Sequence, residues 1–518
     1  MAQPQIFFRA DASLQIGTGH VVRCLTLAKA LRASGAECTF LTRALDGHLA
    51  HRIKAEGFAC DLLPAPDGTA ELPKDPPHAY WAGVPWQTDA AECAAILQGR
   101  TVDWLIMDHY AFDHRWQSVL RARVLQIMVW DDLADRKHDC DLLLDQNLGT
   151  SAQDYDGLVP DTAHLLIGPK YAQLRAEFAS QRAEALVSRS NRRLQRILIA
   201  MGGVDQHDAT GRLLDALALW PQAPSLDVSV VLGGKAPHLP SLRAKSAELP
   251  FRCKIATDVT DMGHRMAEAD LAIGAVGGTT WERCALGLPT LMLTIAANQI
   301  PAATALHQTG AARLLGDETS DGWEEQLLQA LNDLSDPIRL AEMSEISAAI
   351  CDGDGTARLQ RELVPTPVRL RPAQITDARR VWEWRREGGA SRYYRSQTEP
   401  VYSDHWGWYN AALRSQIRRF WVIEEGALPL GYVRLDLTAP EEALISLCLA
   451  YDARGRGIGQ IGLSLIEDMA AELGITRLEA EIHPENLPSL RAFQKAGYKP
   501  VGENDGFGVF ERNVQVKT

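Results

Sequence analysis

The chain of 518 residues contains no Cys-x-x-Cys pair, no long apolar run and no excess of positive charge. Its nine cysteines are odd in number and dispersed, which argues against a disulfide framework and against a cysteine-ligated zinc site. No apolar run approaches the length of a membrane span, and the first residues lack a charged region followed by an apolar one. We therefore expect a cytoplasmic protein in a reducing compartment.

The net charge is −13, because 53 Lys and Arg residues stand against 66 Asp and Glu residues. An acidic chain repels nucleic acids and anionic membrane surfaces, so neither is an expected partner. A small anionic ligand remains compatible with this charge, since a few backbone amides and basic side chains suffice to bind it. The sequence does not define the oligomeric state.

The length exceeds what one hydrophobic core can serve, so we expect several domains. Alternating strands and amphipathic helices predict an α/β fold with two Rossmann-type lobes, residues 1–165 and residues 166–350. Glycines and prolines within residues 351–367 predict a linker. Residues 368–518 have several consecutive strands between helices, a pattern that is typical of an α+β domain.

The first β-to-α turn carries Gly17 and Gly19, which we expect to contact the UDP-sugar, and ends at His20. A dinucleotide fingerprint is excluded there, because Val22 stands where its third glycine belongs. The turn instead presents His20 at the positive end of a helix, where a second positive charge is disfavoured. We expect a neutral imidazole that accepts a proton, and a capping or core histidine is the alternative.

The second lobe has glycines and polar side chains at the ends of several predicted strands. The carboxyl ends of parallel strands form the usual ligand-binding edge of such a sheet, so we expect a nucleotide there. Amides and two threonine hydroxyls would hold a pyrophosphate, and Glu282 would accept hydrogen bonds from a ribose diol. The candidate residues are Gly202, Gly203, Gly278, Thr279, Thr280, Glu282, Asn298 and Gln299.

An ordered series of motifs over about residues 5–345 resembles the UDP-sugar hydrolases of pseudaminic acid biosynthesis. Those enzymes are similar to GT-B glycosyltransferases, notably the UDP-GlcNAc transferase of peptidoglycan synthesis. The motifs include Arg9-Ala-Asp11, Gly17-Thr-Gly19-His20, Asp108-His109-Tyr110, Asp131-Asp132, Met201-Gly-Gly-Val-Asp205, Gly278-Thr-Thr-Trp-Glu282 and Ala296-Ala-Asn298-Gln299.

This resemblance implies a GT-B-like fold and the hydrolysis of UDP from UDP-2,4-diacetamido-2,4,6-trideoxy-β-L-altropyranose at the anomeric carbon. His20 would activate the attacking water, and a single displacement would invert the anomeric configuration. Asp11 would orient His20 or the sugar. The leaving UDP would be stabilised by the second-lobe helix rather than by a metal ion, so no metal site is expected.

A second glycine-rich turn, Arg454–Gly459, follows an apolar strand and precedes an amphipathic helix, an arrangement that suits a phosphate group. Arg454, Gly457 and Gly459 resemble the coenzyme A signature of GNAT acetyltransferases. A later motif, from Asn486 to Tyr498, resembles the next signature of that family. The resemblance covers about residues 368–512 and implies acetyl-CoA as co-substrate, bound by Leu447, Leu449, Arg454, Gly455, Arg456, Gly457, Ile458, Gly459 and Asn486.

In the implied reaction an amine attacks the thioester of acetyl-CoA directly, and an acid that protonates the departing thiolate helps. GNAT enzymes often have a tyrosine where this chain has Phe493. We predict Tyr498 as the acid, and a core tyrosine is the alternative. Glu399 and His405, within a predicted acceptor surface at Arg392–Asn410, are candidate bases. An aromatic helix packed on the sheet is the alternative for that segment.

The two resemblances together predict a bifunctional enzyme, because N4-acetylation of the UDP-amino-sugar immediately precedes UDP hydrolysis in the pseudaminic acid pathway. The GNAT domain would acetylate a UDP-4-amino-4,6-dideoxy-sugar, and the two lobes would then release UDP. One alternative is a GT-B glycosyltransferase fused to a protein N-acetyltransferase. A second alternative is a sugar-nucleotide binding module without catalysis.

Overall fold

The computed structural model describes residues 3–68, 71–396 and 399–515. The chain forms two compact units, and the boundary between them falls between Val364 and Pro365. The first unit contains two lobes, each built on its own parallel sheet. The predicted α/β class is therefore confirmed.

The first lobe is a parallel sheet with helices on both faces. Its elements are β1 (Gln5–Ala10), α1 (Gly19–Ala33), β2 (Glu37–Arg43), α2 (Ala50–Ala55), β3 (Ala59–Leu63), α3 (Trp86–Leu97), β4 (Trp104–Asp108), α4 (His114–Arg121), β5 (Gln126–Trp130), β6 (Leu142–Asp145) and β7 (His164–Ile167). The seven strands lie in the order β3-β2-β1-β4-β5-β6-β7, so the winding direction reverses between β1 and β4. All five residues of β4 are buried, as expected for a strand covered on both faces.

The second lobe repeats this architecture. Its elements are α5 (Ala176–Arg189), β8 (Arg196–Ala200), α6 (Ala209–Ala218), β9 (Asp227–Leu232), α7 (Leu239–Ser246), β10 (Arg252–Thr257), α8 (Met262–Glu268), β11 (Leu271–Ala275), α9 (Gly278–Ala285), β12 (Thr290–Thr294), α10 (Ile300–Thr309), β13 (Arg313–Asp317), α11 (Trp323–Leu334) and α12 (Pro337–Ile350). The six strands are parallel in the order β10-β9-β8-β11-β12-β13, with the reversal between β8 and β11.

The predicted linker, residues 351–367, is corrected by the structure. Residues Gly355–Leu363 form a helix, α13, that packs against α1. Leu359 and Leu363 join the buried core of the first lobe. The glycines and prolines among polar residues predict a linker, but the two leucines, four residues apart, form the apolar stripe of a helix.

The second unit is an α+β domain around one mixed sheet. Its elements are β14 (Val368–Pro372), α14 (Ala378–Arg386), α15 (Tyr402–Leu413), β15 (Arg418–Glu425), β16 (Leu428–Ala439), β17 (Glu442–Leu449), α16 (Ile458–Glu472), β18 (Arg477–Ile482), α17 (Leu487–Lys495), β19 (Lys499–Asn504) and β20 (Phe507–Asn513). The order is β14-β15-β16-β17-β18-β20-β19, and the only parallel pair among these strands as described is β17 with β18. Within the described ranges, no helix is both long and apolar enough to cross a membrane.

Candidate active sites

His20 lies in the first turn of α1, at the carboxyl edge of the first sheet where the winding reverses. Its Nδ1 is 2.6 Å from Oδ1 of Asp108, the last residue of β4. The two side chains are 10% and 0% exposed. An ionised carboxylate can only accept, so Nδ1 carries the proton in this contact and Nε2 keeps its lone pair. The ring can therefore take a proton at Nε2.

Asp108 is fixed by Arg23, one turn after His20 on α1. The guanidinium donates from Nε to Oδ2 at 2.7 Å and from Nη2 to Oδ1 at 2.6 Å. Burial alone would raise the pKa of Asp108, but the charge of Arg23, followed by that of His20, outweighs burial and holds this pKa well below its usual range. The carboxylate thus stays ionised and can stabilise an imidazolium that forms on His20.

Aromatic rings cover this histidine. The ring of Tyr110 meets the ring of His20 edge-on, with 4.8 Å between centroids, and its hydroxyl donates to Asp132 at 2.8 Å. Trp81 stacks on Tyr110 at 5.5 Å. Such rings give a binding site with an apolar wall, which suits one face of a deoxy-sugar.

Asp11 does not hold His20. Its buried carboxylate accepts two hydrogen bonds from Arg9, at 2.6 and 2.8 Å, and lies 3.2 Å from Nε2 of His109. It also accepts from the backbone N–H of Arg43 at 2.7 Å. The first alternative for Asp11, that it orients His20, is therefore corrected: Asp108 makes that contact, and Asp11 joins the ends of β1 and β2. The second alternative, that Asp11 orients the sugar, stays a prediction.

The glycines before His20 leave space around the backbone. Gly17 has a φ of +80° and closes a turn by donating its N–H to the carbonyl of Ser13 at 2.8 Å. A methyl group added at Gly17 or Gly19 would meet no atom within 4 Å. A ligand can therefore approach the main chain at both positions.

In the second lobe, the predicted residues lie at the carboxyl ends of β8, β11 and β12. Gly202 and Gly203 follow β8, and Gly278 and Thr279 open α9 with exposed backbone. The hydroxyl of Thr280 accepts from the backbone N–H of Gly277 and from Arg283, both at 3.0 Å. This hydroxyl caps its own helix through its lone pairs, and its proton can still be donated, so its role at a pyrophosphate stays a prediction.

Glu282 is largely buried one turn into α9, with 16% of its side chain exposed and Arg175 at 3.6 Å. Burial raises the pKa of Glu282 to about 7, and Arg175 offsets only part of that rise. Asn298 is exposed in the loop after β12, whereas Oε1 of Gln299 accepts from the backbone N–H of Ile295 at 3.0 Å. Gln299 thus shapes this loop.

In the second unit, β17 and β18 diverge. Their parallel pairing covers only Glu442–Leu444 of β17, although the strand continues to Leu449. The later residues stay paired with β16, and the later part of β18 stays paired with β20. We call the resulting opening the wedge. Leu447 and Leu449, the predicted contacts of acetyl-CoA, lie on its diverging side.

The predicted phosphate turn leads into α16, with Gly457 as its N-cap. Gly455 and Gly457 have φ values of +75° and +79°, and a methyl group at either position would meet no atom within 4 Å. The guanidinium of Arg454 donates to the backbone carbonyl of Leu449, at 3.1 and 3.2 Å, and to that of Glu387, at 3.1 Å. It stabilises the turn from within.

The other residues predicted to bind acetyl-CoA lie in different surroundings. Arg456 is partly exposed, 3.7 Å from Glu425. Ile458 and Gly459 are buried in the first turn of α16. Asn486 is the N-cap of α17, where its side chain accepts from the N–H of Ser489 at 3.3 Å. Asparagine is a preferred N-cap residue, so this hydrogen bond by itself accounts for an asparagine at position 486.

The candidate base His405 is corrected by the structure. It is buried on α15, its Nε2 lies 3.0 Å from the carbonyl of Ala378, and burial lowers its pKa to about 4. Such a ring holds two helices together and is a poor base near pH 7. Glu399 pairs with Arg386 at 2.9 Å on the surface. The alternative of an aromatic helix packed on the sheet therefore describes α15.

Tyr498 is buried against Phe493, with 5.0 Å between ring centroids, and its hydroxyl has no hydrogen-bond partner. Burial raises its pKa above the ordinary value, so the phenol stays protonated. Its role as the acid stays a prediction. Within the described ranges no cluster of His, Cys, Asp and Glu is arranged to hold a metal ion, and the metal-free mechanism likewise stays a prediction.

The sequence reasoning missed Asp108 and Tyr110 as members of the first site. Both belong to a quoted motif, but His20 and Asp108 are 88 residues apart, and only the pairing of β1 with β4 brings them together. One signal in the sequence was available: the turn that ends at His20 follows the buried strand β1, and Asp108 ends the buried strand β4.

Two family models match parts of the chain. Residues 368–499 match the acetyltransferase (GNAT) domain, and residues 224–356 match the C-terminal domain of glycosyltransferase family 28. A crystal structure of MurG from Acinetobacter baumannii, 16% identical with a TM-score of 0.52, covers 70% of this chain and 99% of that one. The molecule is thus a GT-B-like pair of lobes followed by a GNAT acetyltransferase domain, as predicted.

Two proteins are similar to longer parts of the chain than either family model covers. The UDP-2,4-diacetamido-2,4,6-trideoxy-β-L-altropyranose hydrolase of Campylobacter jejuni is 25% identical over 307 residues, which are 59% of this chain and 97% of the hydrolase. An uncharacterised protein of Methanocaldococcus jannaschii is 22% identical over 511 residues, 94% of this chain and 95% of that protein. The chain is therefore a fusion of a homologue of that UDP-sugar hydrolase with an acetyltransferase domain.

Proposed function

We propose that the chain is a bifunctional enzyme that performs two consecutive steps on one nucleotide sugar. The GNAT domain transfers an acetyl group from acetyl-CoA to the 4-amino group of a UDP-4-amino-4,6-dideoxy-sugar. The GT-B-like lobes then hydrolyse UDP from UDP-2,4-diacetamido-2,4,6-trideoxy-β-L-altropyranose. The similarity to the hydrolase of that name and the presence of the acetyltransferase domain both support the pairing.

The contact between His20 and Asp108 carries the hydrolytic half of the proposal. Water attacks the anomeric carbon while Nε2 of His20 takes one of its protons, and the buried carboxylate of Asp108 stabilises the imidazolium. The bond from the anomeric carbon to the UDP oxygen breaks in the same displacement, so the configuration inverts. UDP leaves with its charge facing the N-terminus of α9, where backbone N–H groups and the helix dipole favour an anion.

The wedge carries the acetyl-transfer half. A thioester lying between the diverging strands can hydrogen-bond the main chain near Leu447 and Leu449, and the glycine turn before α16 receives the phosphates of coenzyme A. The amine of the bound sugar then attacks the thioester carbonyl, and most of the acceleration comes from holding the two reactants together.

NMR of the purified chain with acetyl-CoA and the UDP-4-amino-sugar tests both halves. We expect an N-acetyl signal to appear first, followed by free UDP and a reducing sugar of inverted anomeric configuration. Release of UDP that requires an added acceptor would instead support a GT-B glycosyltransferase fused to a protein N-acetyltransferase. Binding without turnover would support a non-catalytic module.

A further inference from the structure

The acetyltransferase unit contains a short segment that spans the wedge. This segment, Tyr393–Arg395, follows α14 and is called the crossing segment here. On one side the phenol of Tyr394 contacts two side chains, that of Tyr432 on β16 and that of Cys448, which lies between Leu447 and Leu449 in the diverging part of β17. The segment therefore has one anchor at the strand that the thioester is proposed to follow.

The other anchors of the crossing segment are at the end of β18. Arg395 donates to both carboxylate oxygens of Glu481, at 2.8 and 2.9 Å, and Glu481 belongs to the part of β18 beyond its pairing with β17. The ring of Tyr393 lies 5.7 Å from the ring of His483, just after β18. Contacts with both strands put Tyr394 at the open end of the wedge.

The phenol of Tyr394 is arranged as a donor to sulfur. The thiol of Cys448 donates to the carbonyl of Trp384 at 3.4 Å, so its sulfur lone pairs can accept from the phenol of Tyr394, which also contacts the hydroxyl of Tyr432. The guanidinium of Arg385 lies 4.7 Å from the centroid of the Tyr394 ring. Burial raises the pKa of Tyr394 well above its ordinary value, so the proton is present throughout the physiological range.

Tyr498 occupies a different place. Its charged neighbours are Glu467 on α16 and Arg512 on β20, and Arg512 pairs with Leu478, within the part of β18 that is still joined to β17. Tyr498 thus lies towards the closed end of the wedge, away from the diverging strands.

We propose that Tyr394, rather than Tyr498, is the acid that protonates the departing coenzyme A thiolate, in compensation for the phenylalanine at position 493. This assignment rests on the proposed acetyl transfer. The amine nitrogen bonds to the thioester carbonyl carbon, the carbon–sulfur bond breaks, and the phenol proton moves to sulfur. The surplus proton of the amine goes to solvent, and solvent reprotonates the phenolate.

The first test compares tyrosine-to-phenylalanine variants of the full chain in thiol release from acetyl-CoA, with the UDP-4-amino-sugar as acceptor. We expect Y394F to lower kcat by about 100-fold with an unchanged KM for acetyl-CoA. Y409F is the matched control, because Tyr409 is a buried phenol of the hydrophobic cluster that contains Cys448, and its hydroxyl has no hydrogen-bond partner. A loss in Y498F with full activity in Y394F overturns the assignment.

The second test needs no acceptor. Coenzyme A is bound to the wild-type chain and to Y394F, and the ultraviolet absorbance of its thiolate is followed against pH. A phenol that donates to the sulfur stabilises the thiolate, so Y394F should raise the pKa of the bound thiol by about one unit. Identical titrations overturn the assignment. A shifted titration in a chain that does not acetylate the sugar would refute the proposed substrate while leaving Tyr394 supported.

Discussion

His20 is held by a carboxylate that a guanidinium already neutralises. The carboxylate accepts from Nδ1 of His20, so the second ring nitrogen, Nε2, is the one that can face the attacking water. Arg23 is as much a part of the arrangement as Asp108, because without it a buried carboxylate would be driven towards its neutral form.

Replacing His20 by alanine should lower the rate of UDP release by about 10²–10⁴-fold, because the attacking water loses its proton acceptor. UDP affinity, measured by calorimetry, should remain that of the wild type, since the proposed nucleotide contacts lie in the second lobe. His51→Ala on α2 is a control, because His51 is exposed in the same lobe. Equal rates in the two variants would remove His20 from the mechanism.

Glu282 should make UDP binding depend on pH. Ribose hydroxyls donate to an ionised carboxylate, so binding lowers the pKa of Glu282 from about 7 and releases a proton. Affinity should therefore rise as the pH rises through about 7 and level off above it. Calorimetry in buffers of different ionisation enthalpy would measure the released proton.

The variant Glu282→Gln provides the control for that measurement. It keeps the titration of the UDP phosphate itself but has no carboxyl to ionise. Its affinity should lack the rise that the wild type shows as the pH approaches about 7 from below. A pH profile identical to that of wild type would show that Glu282 does not contact the ribose.

At the scale of elements, the glycine turn before α16 allows a matched comparison. Gly457 starts this helix and Gly474 follows its end, with φ values of +79° and +74°, and neither has an atom within 4 Å of an added methyl group. Alanine should cost about 1–2 kcal/mol of stability at each position, since both backbones are left-handed. Only Gly457→Ala should also weaken acetyl-CoA binding, by about tenfold. Equal affinities in the two variants would argue against the phosphate turn.

The sequence predicted elements well where the pattern was local. The apolar pattern predicts strands at Gln5–Arg9 and Glu37–Arg43 and a helix at Gly19–Ser34. Each lies within one residue of the observed ends of β1, β2 and α1, because buried strands and an apolar helical face have clear periods. The wedge could not be predicted from the local pattern of either strand, since the divergence of β17 and β18 depends on how the two strands pair. Local contacts of side chains could not be predicted either: the hydroxyl of Thr280 and the guanidinium of Arg454 hydrogen-bond within their own turns.

At the scale of the molecule, the boundary after Val364 predicts two separable proteins. A fragment ending at residue 364 should fold and release UDP, and a fragment starting at residue 365 should fold and acetylate. Ending the first fragment at residue 350 should destabilise it by more than about 3 kcal/mol, because Leu359 and Leu363 would be lost from its core. Thermal unfolding of the two N-terminal fragments measures the difference. Equal melting temperatures would contradict the role assigned to α13.

Because α13 contributes to the core of the first lobe, that core is completed only late in synthesis. Helix α1 is synthesised long before α13, the helix that covers one of its faces, since α1 ends at Ala33 and α13 begins at Gly355. At ~5–20 residues per second the nascent chain waits on the order of 15–65 s with that apolar surface open, while the whole second lobe is made. Translation speed and chaperone supply therefore bear most heavily on the part of the protein that is synthesised first.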